Sequence, residues 1–209
     1  MVFENRVDAG RQLTKALRAY QGQHPLILAI PRGGVPLGRE IADALGGELD
    51  VVLVRKLGAP YNPEFAVGSI GESGQVFVAD YAERAGANSR YIAEEADRQL
   101  ATIRRRRAQY ARVQAPISVK GRTVIVVDDG LATGATMRSA LQEVRSQQPT
   151  QLICAIPVAS PEAIALVQPL CDELVCLQIE AEFGGVGRFY VDFRQVEDDE
   201  AVALLAGQQ

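Results

Sequence analysis

The chain is 209 residues long, with 22 Lys and Arg against 26 Asp and Glu for a net charge of −4, no tryptophan, three cysteines and one histidine. This length supports a real hydrophobic core in a single domain over residues 1–209, and the plentiful aliphatics and modest charge exclude an intrinsically disordered chain. No apolar run approaches the roughly eighteen residues of a membrane span, and the start Met1-Val2-Phe3-Glu4-Asn5-Arg6 lacks a signal peptide's apolar core, so a cytoplasmic protein without a membrane partner is expected.

Residues 8–19 space Ala9, Leu13, Ala16 and Leu17 at helical intervals, predicting an amphipathic helix that ends at Gln21-Gly22-Gln23-His24-Pro25. His24 falls in this polar linker and reads as solvated, which leaves little material for a zinc cluster or a Ser-His-Asp system. Residues 26–30 form a short apolar strand, followed by Pro31-Arg32-Gly33-Gly34-Val35-Pro36-Leu37-Gly38 and a helix to about Leu45. Arg32 supplies charge there, and Gly33 and Gly34 permit a tight backbone that exposes N–H groups, which suits either an anion site or an ordinary turn. Residues 49–54 predict another buried strand that delivers Arg55 and Lys56 at its carboxyl end, where open α/β sheets bind ligands.

Gly58, Pro60, Asn62, Pro63, Gly68, Gly71 and Gly74 are too many breakers for a core element, so residues 58–74 are expected to be a long loop or a loose hairpin. Residues 89–110 are the longest helical candidate, with Ile92, Ala96, Leu100 and Ile103 on one stripe and Asn88 or Ser89 as cap. The helix ends in Arg104-Arg105-Arg106-Arg107. Consecutive helical residues point around the cylinder, and Glu94, Glu95 and Asp97 precede them, so a solvated face is favoured over a nucleic-acid surface.

Residues 122–145 carry the strongest pattern. The apolar, mostly β-branched run Thr123-Val124-Ile125-Val126-Val127 suits a strand buried on both faces. Asp128 and Asp129 then force the chain out toward water or a ligand, because unpaired buried charge is too costly. In the turn that follows, Gly130 and Gly134 allow unusual backbone angles, and small side chains let N–H groups approach a ligand. A helix opening near Gly134 adds its positive dipole end, which makes phosphate the natural guest.

Residues 151–157, 162–170 and 173–177 read as strand, helix and strand, implying parallel pairing with right-handed crossovers and all these loops on one edge. Cys154 lies in an apolar run, and with Cys171 and Cys176 gives an odd count, so reduced packed thiols are expected. Phe183, Phe189, Tyr190 and Phe193 gather in an aromatic-poor chain, either as a packing cluster or as a base site, and residues 197–205 close as a short helix.

The stretch Val127-Asp128-Asp129-Gly130-Leu131-Ala132-Thr133-Gly134-Ala135-Thr136 between strand and helix resembles the signature of the type I phosphoribosyltransferases. The resemblance implies an α/β fold with a mainly parallel sheet of about five strands flanked by helices, and a small hood from the N-terminal part and residues 178–209. It further implies magnesium-dependent transfer of ribose 5-phosphate from phosphoribosyl pyrophosphate to a nitrogenous base. Asp128 and Asp129 would hold the ribose, Ala132, Thr133, Gly134, Ala135 and Thr136 the 5′-phosphate, and Arg32, Gly33, Gly34 and Lys56 the pyrophosphate. Phe183 and Tyr190 are the candidates to stack on the base, with Asp192 near the metal. The same fold also serves regulators that sense phosphoribosyl pyrophosphate, and water could replace the base in a hydrolase. Nucleic acid is an unfavoured partner; a homo-oligomer is compatible.

Overall fold

The protein is described by a computed structural model that covers residues 2–207. Helix α1 (Arg6–Ala16) is capped by Asn5, whose side chain accepts from the Asp8 N–H. There follow β1 (Leu26–Ala29), α2 (Gly34–Leu45), β2 (Glu48–Val51), β3 (Val54–Ala59), β4 (Asn62–Gly71), β5 (Val76–Val78) and α3 (Ser89–Tyr110). The second half alternates strictly: β6 (Thr123–Val127), α4 (Ala135–Ser146), β7 (Gln151–Ala159), α5 (Pro161–Val167), β8 (Glu173–Ile179) and α6 (Asp198–Leu205).

Five parallel strands form one sheet in the order β2-β1-β6-β7-β8. Side chains alternate across it with period two, so Ile27, Ile125 and Ile153 join the core beneath α1 and α2. Leu28, Val126 and Cys154 join the opposite core with Met137, Leu141 and Ala163 of α4 and α5. Ala29 lies level with both Val51 and Val127, which brings the carboxyl ends of three strands to one edge. The three cysteines form no disulfide. Among the described residues no helix is long and apolar enough to cross a membrane.

Two expectations are refined. Of the loop and the hairpin, residues 58–74 form the hairpin, and it is not loose: β3 and β4 pair antiparallel and with β5 make a second sheet, with Leu57, Val67 and Ile70 buried. Its glycines serve close packing, since a Cβ on Gly68 would stand 2.5 Å from the Phe77 carbonyl oxygen and one on Gly71 2.1 Å from Glu143. Arg55 and Lys56 accordingly lie within β3, because the first strand stops at Val51 and the chain turns into the second sheet.

Two polar clamps fix this sheet to the body. Arg107 of α3 donates to Asp50 (2.7 Å), the Val51 carbonyl (2.7 Å) and both oxygens of Glu72 (2.5 Å each). Glu143 of α4, 1% exposed, accepts from the Ser73 N–H and hydroxyl, each at 2.8 Å.

Candidate active site

The end of β6 is where the parallel sheet delivers charge. Asp128 and Asp129 do not emerge freely into water but are half-buried, with the Asp129 N–H donating to the Asp128 carboxylate at 2.9 Å. Arg6 of α1 reaches the same place, its Nε and Nη2 lying 2.9 and 2.8 Å from Oδ2 of Asp129. The guanidinium is itself fixed, donating to the Arg194 carbonyl at 2.7 Å and lying 3.9 Å over the Phe193 ring. Burial, followed by the neighbouring Asp129 charge, pushes the Asp128 pKa well up. Burial also raises Asp129, but there the Arg6 charge opposes it. Arg6 therefore pairs directly with Asp129, while Asp128 feels that charge only at longer range.

The turn after β1 lies directly against this pair. A Cβ on Gly33 would come within 2.1 Å of the Asp129 carboxylate, and one on Gly34 within 2.7 Å of the Val127 carbonyl oxygen, so only glycine permits the approach.

Beyond the pair, Leu131 bridges to Ala159, and Ser160 donates its hydroxyl to the Ala132 carbonyl at 2.8 Å, which braces the turn from β7. Gly134 caps α4 with φ +73°, a left-handed conformation that other side chains adopt only with strain. Gly130, by contrast, has no positive φ; its requirement is space, since a Cβ there would meet Val186 at 2.8 Å. The N–H groups of Ala132, Thr133, Gly134 and Thr136 donate to no protein acceptor among the described residues, and Ala135 makes only a 3.4 Å bond to the Thr133 hydroxyl. A helix start with open donors is a ready anion site.

A cleft of about 1140 Å³ separates the second sheet and α3 from the turn and α4. Its walls include Thr133, Ala135 and Thr136 from the turn, Lys56 from β3 and Arg106 from α3.

The fold brings together the acidic pair, the turn and Gly33-Gly34, while the other predicted site residues are paired, packed or exposed apart from them. Arg32 points to α6, 3.6 Å from Glu197 and 3.3 Å from Asp198. Lys56 lines the cleft but pairs with Glu64 at 2.7 Å. Phe183 and Tyr190 are 7% and 6% exposed, so the rings expected to stack on a base are packed inside. Phe183 lies against Phe189 at 5.1 Å, while Tyr190 lies between Phe3 and Phe193 and donates its hydroxyl to the Asp129 carbonyl at 2.6 Å. Asp192 is exposed and accepts from the Arg194 N–H at 3.1 Å.

Residues 3–194 match the family described as phosphoribosyl transferase domain. The chain belongs to that family. It is 40% identical over 205 residues to the Mycobacterium tuberculosis protein named "Putative phosphoribosyl transferase Rv0571c", covering 98% of this chain and 46% of that one. It thus spans about half the length of the curated relatives it matches. A crystal structure of TT1426 from Thermus thermophilus superposes with a TM-score of 0.90 at 45% identity, covering 99% of each chain. Purine phosphoribosyltransferase from Pyrococcus horikoshii Ot3 shares the fold, with a TM-score of 0.50, 18% identity and coverage of 92% and 93%.

In this phosphoribosyl transferase domain, sequence reasoning missed Arg6 and Arg106. Nothing local marks Arg6, which lies 123 residues from its partner. Arg106 was visible only as part of a charged run whose neighbour Arg107 turned out to be consumed in a buried clamp.

Proposed function

We propose that the chain transfers ribose 5-phosphate from phosphoribosyl pyrophosphate to a nitrogen of a base, releasing pyrophosphate. The observation that carries this reading is the junction of β6 and α4, where a carboxylate with no directly paired cation adjoins a turn with open N–H donors. Those donors, on Ala132, Thr133, Gly134, Ala135 and Thr136, would hold the 5′-phosphate. Asp128, ionised once the ribose is bound, would accept from its hydroxyls, and Asp129, oriented by Arg6, would accept from a second hydroxyl. Displacement at the anomeric carbon builds positive charge on the sugar and negative charge on the departing pyrophosphate. The acidic pair would stabilise the first, and Lys56 with the Gly33-Gly34 backbone the second.

Mg²⁺ commonly binds through one or two carboxylates and substrate phosphates, and the exposed carboxylate of Asp192 is the candidate protein ligand. When bound, the ion would neutralise charge on the diphosphate. The deciding experiment offers phosphoribosyl pyrophosphate and Mg²⁺ with a panel of purine, pyrimidine and other nitrogen acceptors while pyrophosphate release is followed. Release that requires one acceptor is expected. Equal release without a base would mark a hydrolase, and tight binding without release a sensor; either outcome would displace the transferase reading.

A further inference from the structure

We infer that Arg106, delivered by α3, takes the diphosphate end of the donor in the role that sequence position suggests for Arg32. The inference rests on the proposed use of phosphoribosyl pyrophosphate and adds a binding residue from a helix outside the glycine turns. Arg106 lines the large cleft together with Thr133 and Thr136, and also a small adjoining cavity of about 50 Å³ with Pro31, Arg55 and Thr136. It therefore stands beside both the start of α4 and the carboxyl end of β1. No carboxylate pairs with it among the described residues, and its side chain is exposed. The other cations nearby are engaged or border only one of the two cavities. Arg32 is held by Glu197 and Asp198, Lys56 by Glu64, and Arg107 by Asp50 and Glu72. Arg55, which borders the same two cavities, donates to Gln99 at 3.0 Å, and Arg138 of α4 borders only the large one.

The neighbouring clamp explains why this arginine is well placed. Arg107 bolts the last turns of α3 to β2 and to the second sheet, so the backbone that carries Arg106 is held over the cleft. The guanidinium's planar fork matches two oxygens of a phosphate, and little ordering remains to be done when the ligand arrives. Arg104 and Arg105, from the same run, line neither cavity, so the charged run divides into one anion-facing residue, one structural residue and two solvated ones.

The test measures binding of pyrophosphate with Mg²⁺ and, separately, of ribose 5-phosphate by calorimetry. Arg106→Gln should weaken pyrophosphate about tenfold or more, the scale of one charge-assisted contact, while ribose 5-phosphate changes by less than about twofold. Arg105→Gln should change neither, Arg32→Gln should cost less than Arg106→Gln, and Arg106→Lys, which cannot form the fork, should fall between. An unaltered pyrophosphate affinity in both Arg106 variants, or an equal loss in Arg105→Gln, overturns the assignment. Wild-type protein that binds ribose 5-phosphate but not pyrophosphate overturns it too, leaving the phosphate turn intact. Failure to bind either probe defeats the proposed function as well.

Discussion

Asp50 in β2 and Asp128 beyond β6 are carboxylates at the ends of neighbouring regions of one sheet, but they keep opposite company. Asp50, 2% exposed, accepts from Arg107 and from the N–H groups of Val51 and Ile117 at 2.7, 2.7 and 3.0 Å. Asp128 accepts one N–H, from Asp129, and faces that residue's charge. The first cluster satisfies its charge internally and so fixes α3 and the second sheet in place. The second leaves a carboxylate short of partners beside a turn whose N–H groups are likewise open, and this incomplete satisfaction is what the proposed ligand site rests on.

Breaking the satisfied side should have the larger effect. Arg107→Met strands two acidic groups, Asp50 and Glu72, and is expected to cost about 3–5 kcal/mol in urea denaturation. Adding Asp50→Asn should recover part of that loss. Arg107→Met with near-wild-type stability would show that water reaches the clamp and that its burial carries little weight.

The unsatisfied side should respond in the opposite direction. Because burial and Asp129 raise the Asp128 pKa, the folded chain holds that proton more tightly than the unfolded chain. The group's contribution to stability is full below the unfolded carboxyl pKa of about 4 and is lost as pH rises through the folded value. Asp128→Asn removes this loss, so the variant should be more stable at neutral pH by about 0.5–2 kcal/mol, a typical gain on relieving an active-site group. The gain should vanish below about pH 4. The same substitution should weaken Mg²⁺-phosphoribosyl pyrophosphate about tenfold. A variant destabilised equally at both pH values would place Asp128 in the same class as Asp50.

How much of this was legible followed the distance over which each feature is encoded. The strand, turn and α4 lie within one contiguous stretch, where β-branched residues, paired acids and Gly134 each signal locally, and α3 matches its predicted span. The parallel alternation after residue 122 likewise needed only short periodic signals. The second sheet was hidden because glycine and proline signal a break in one context and close strand packing in another. The Arg6–Asp129 pair joins residues 123 positions apart and exists only once α1 has docked beside the hood segment. Aromatic clustering could not separate stacking on a ligand from packing on neighbours; in the fold the rings of Phe183 and Tyr190 are both buried against other aromatics.

That burial leads to the smallest expected effect, at Tyr190. Its ring is held between Phe3 and Phe193, and its hydroxyl supports the carbonyl of Asp129, so it reaches the acidic pair through the backbone rather than through a ligand. Tyr190→Phe keeps the ring and its packing but leaves that carbonyl without its donor, at a cost of about 1 kcal/mol. Tyr190→Leu also loses aromatic packing and should be the less stable of the two. If the ring were a platform for the acceptor, Phe would preserve the Michaelis constant for the acceptor and Leu would raise it. If the ring is a tether for Asp129, both variants should leave that constant unchanged after correction for folded protein, while donor affinity falls slightly in both. An acceptor effect confined to Tyr190→Leu, without loss of stability, would return the residue to the base site.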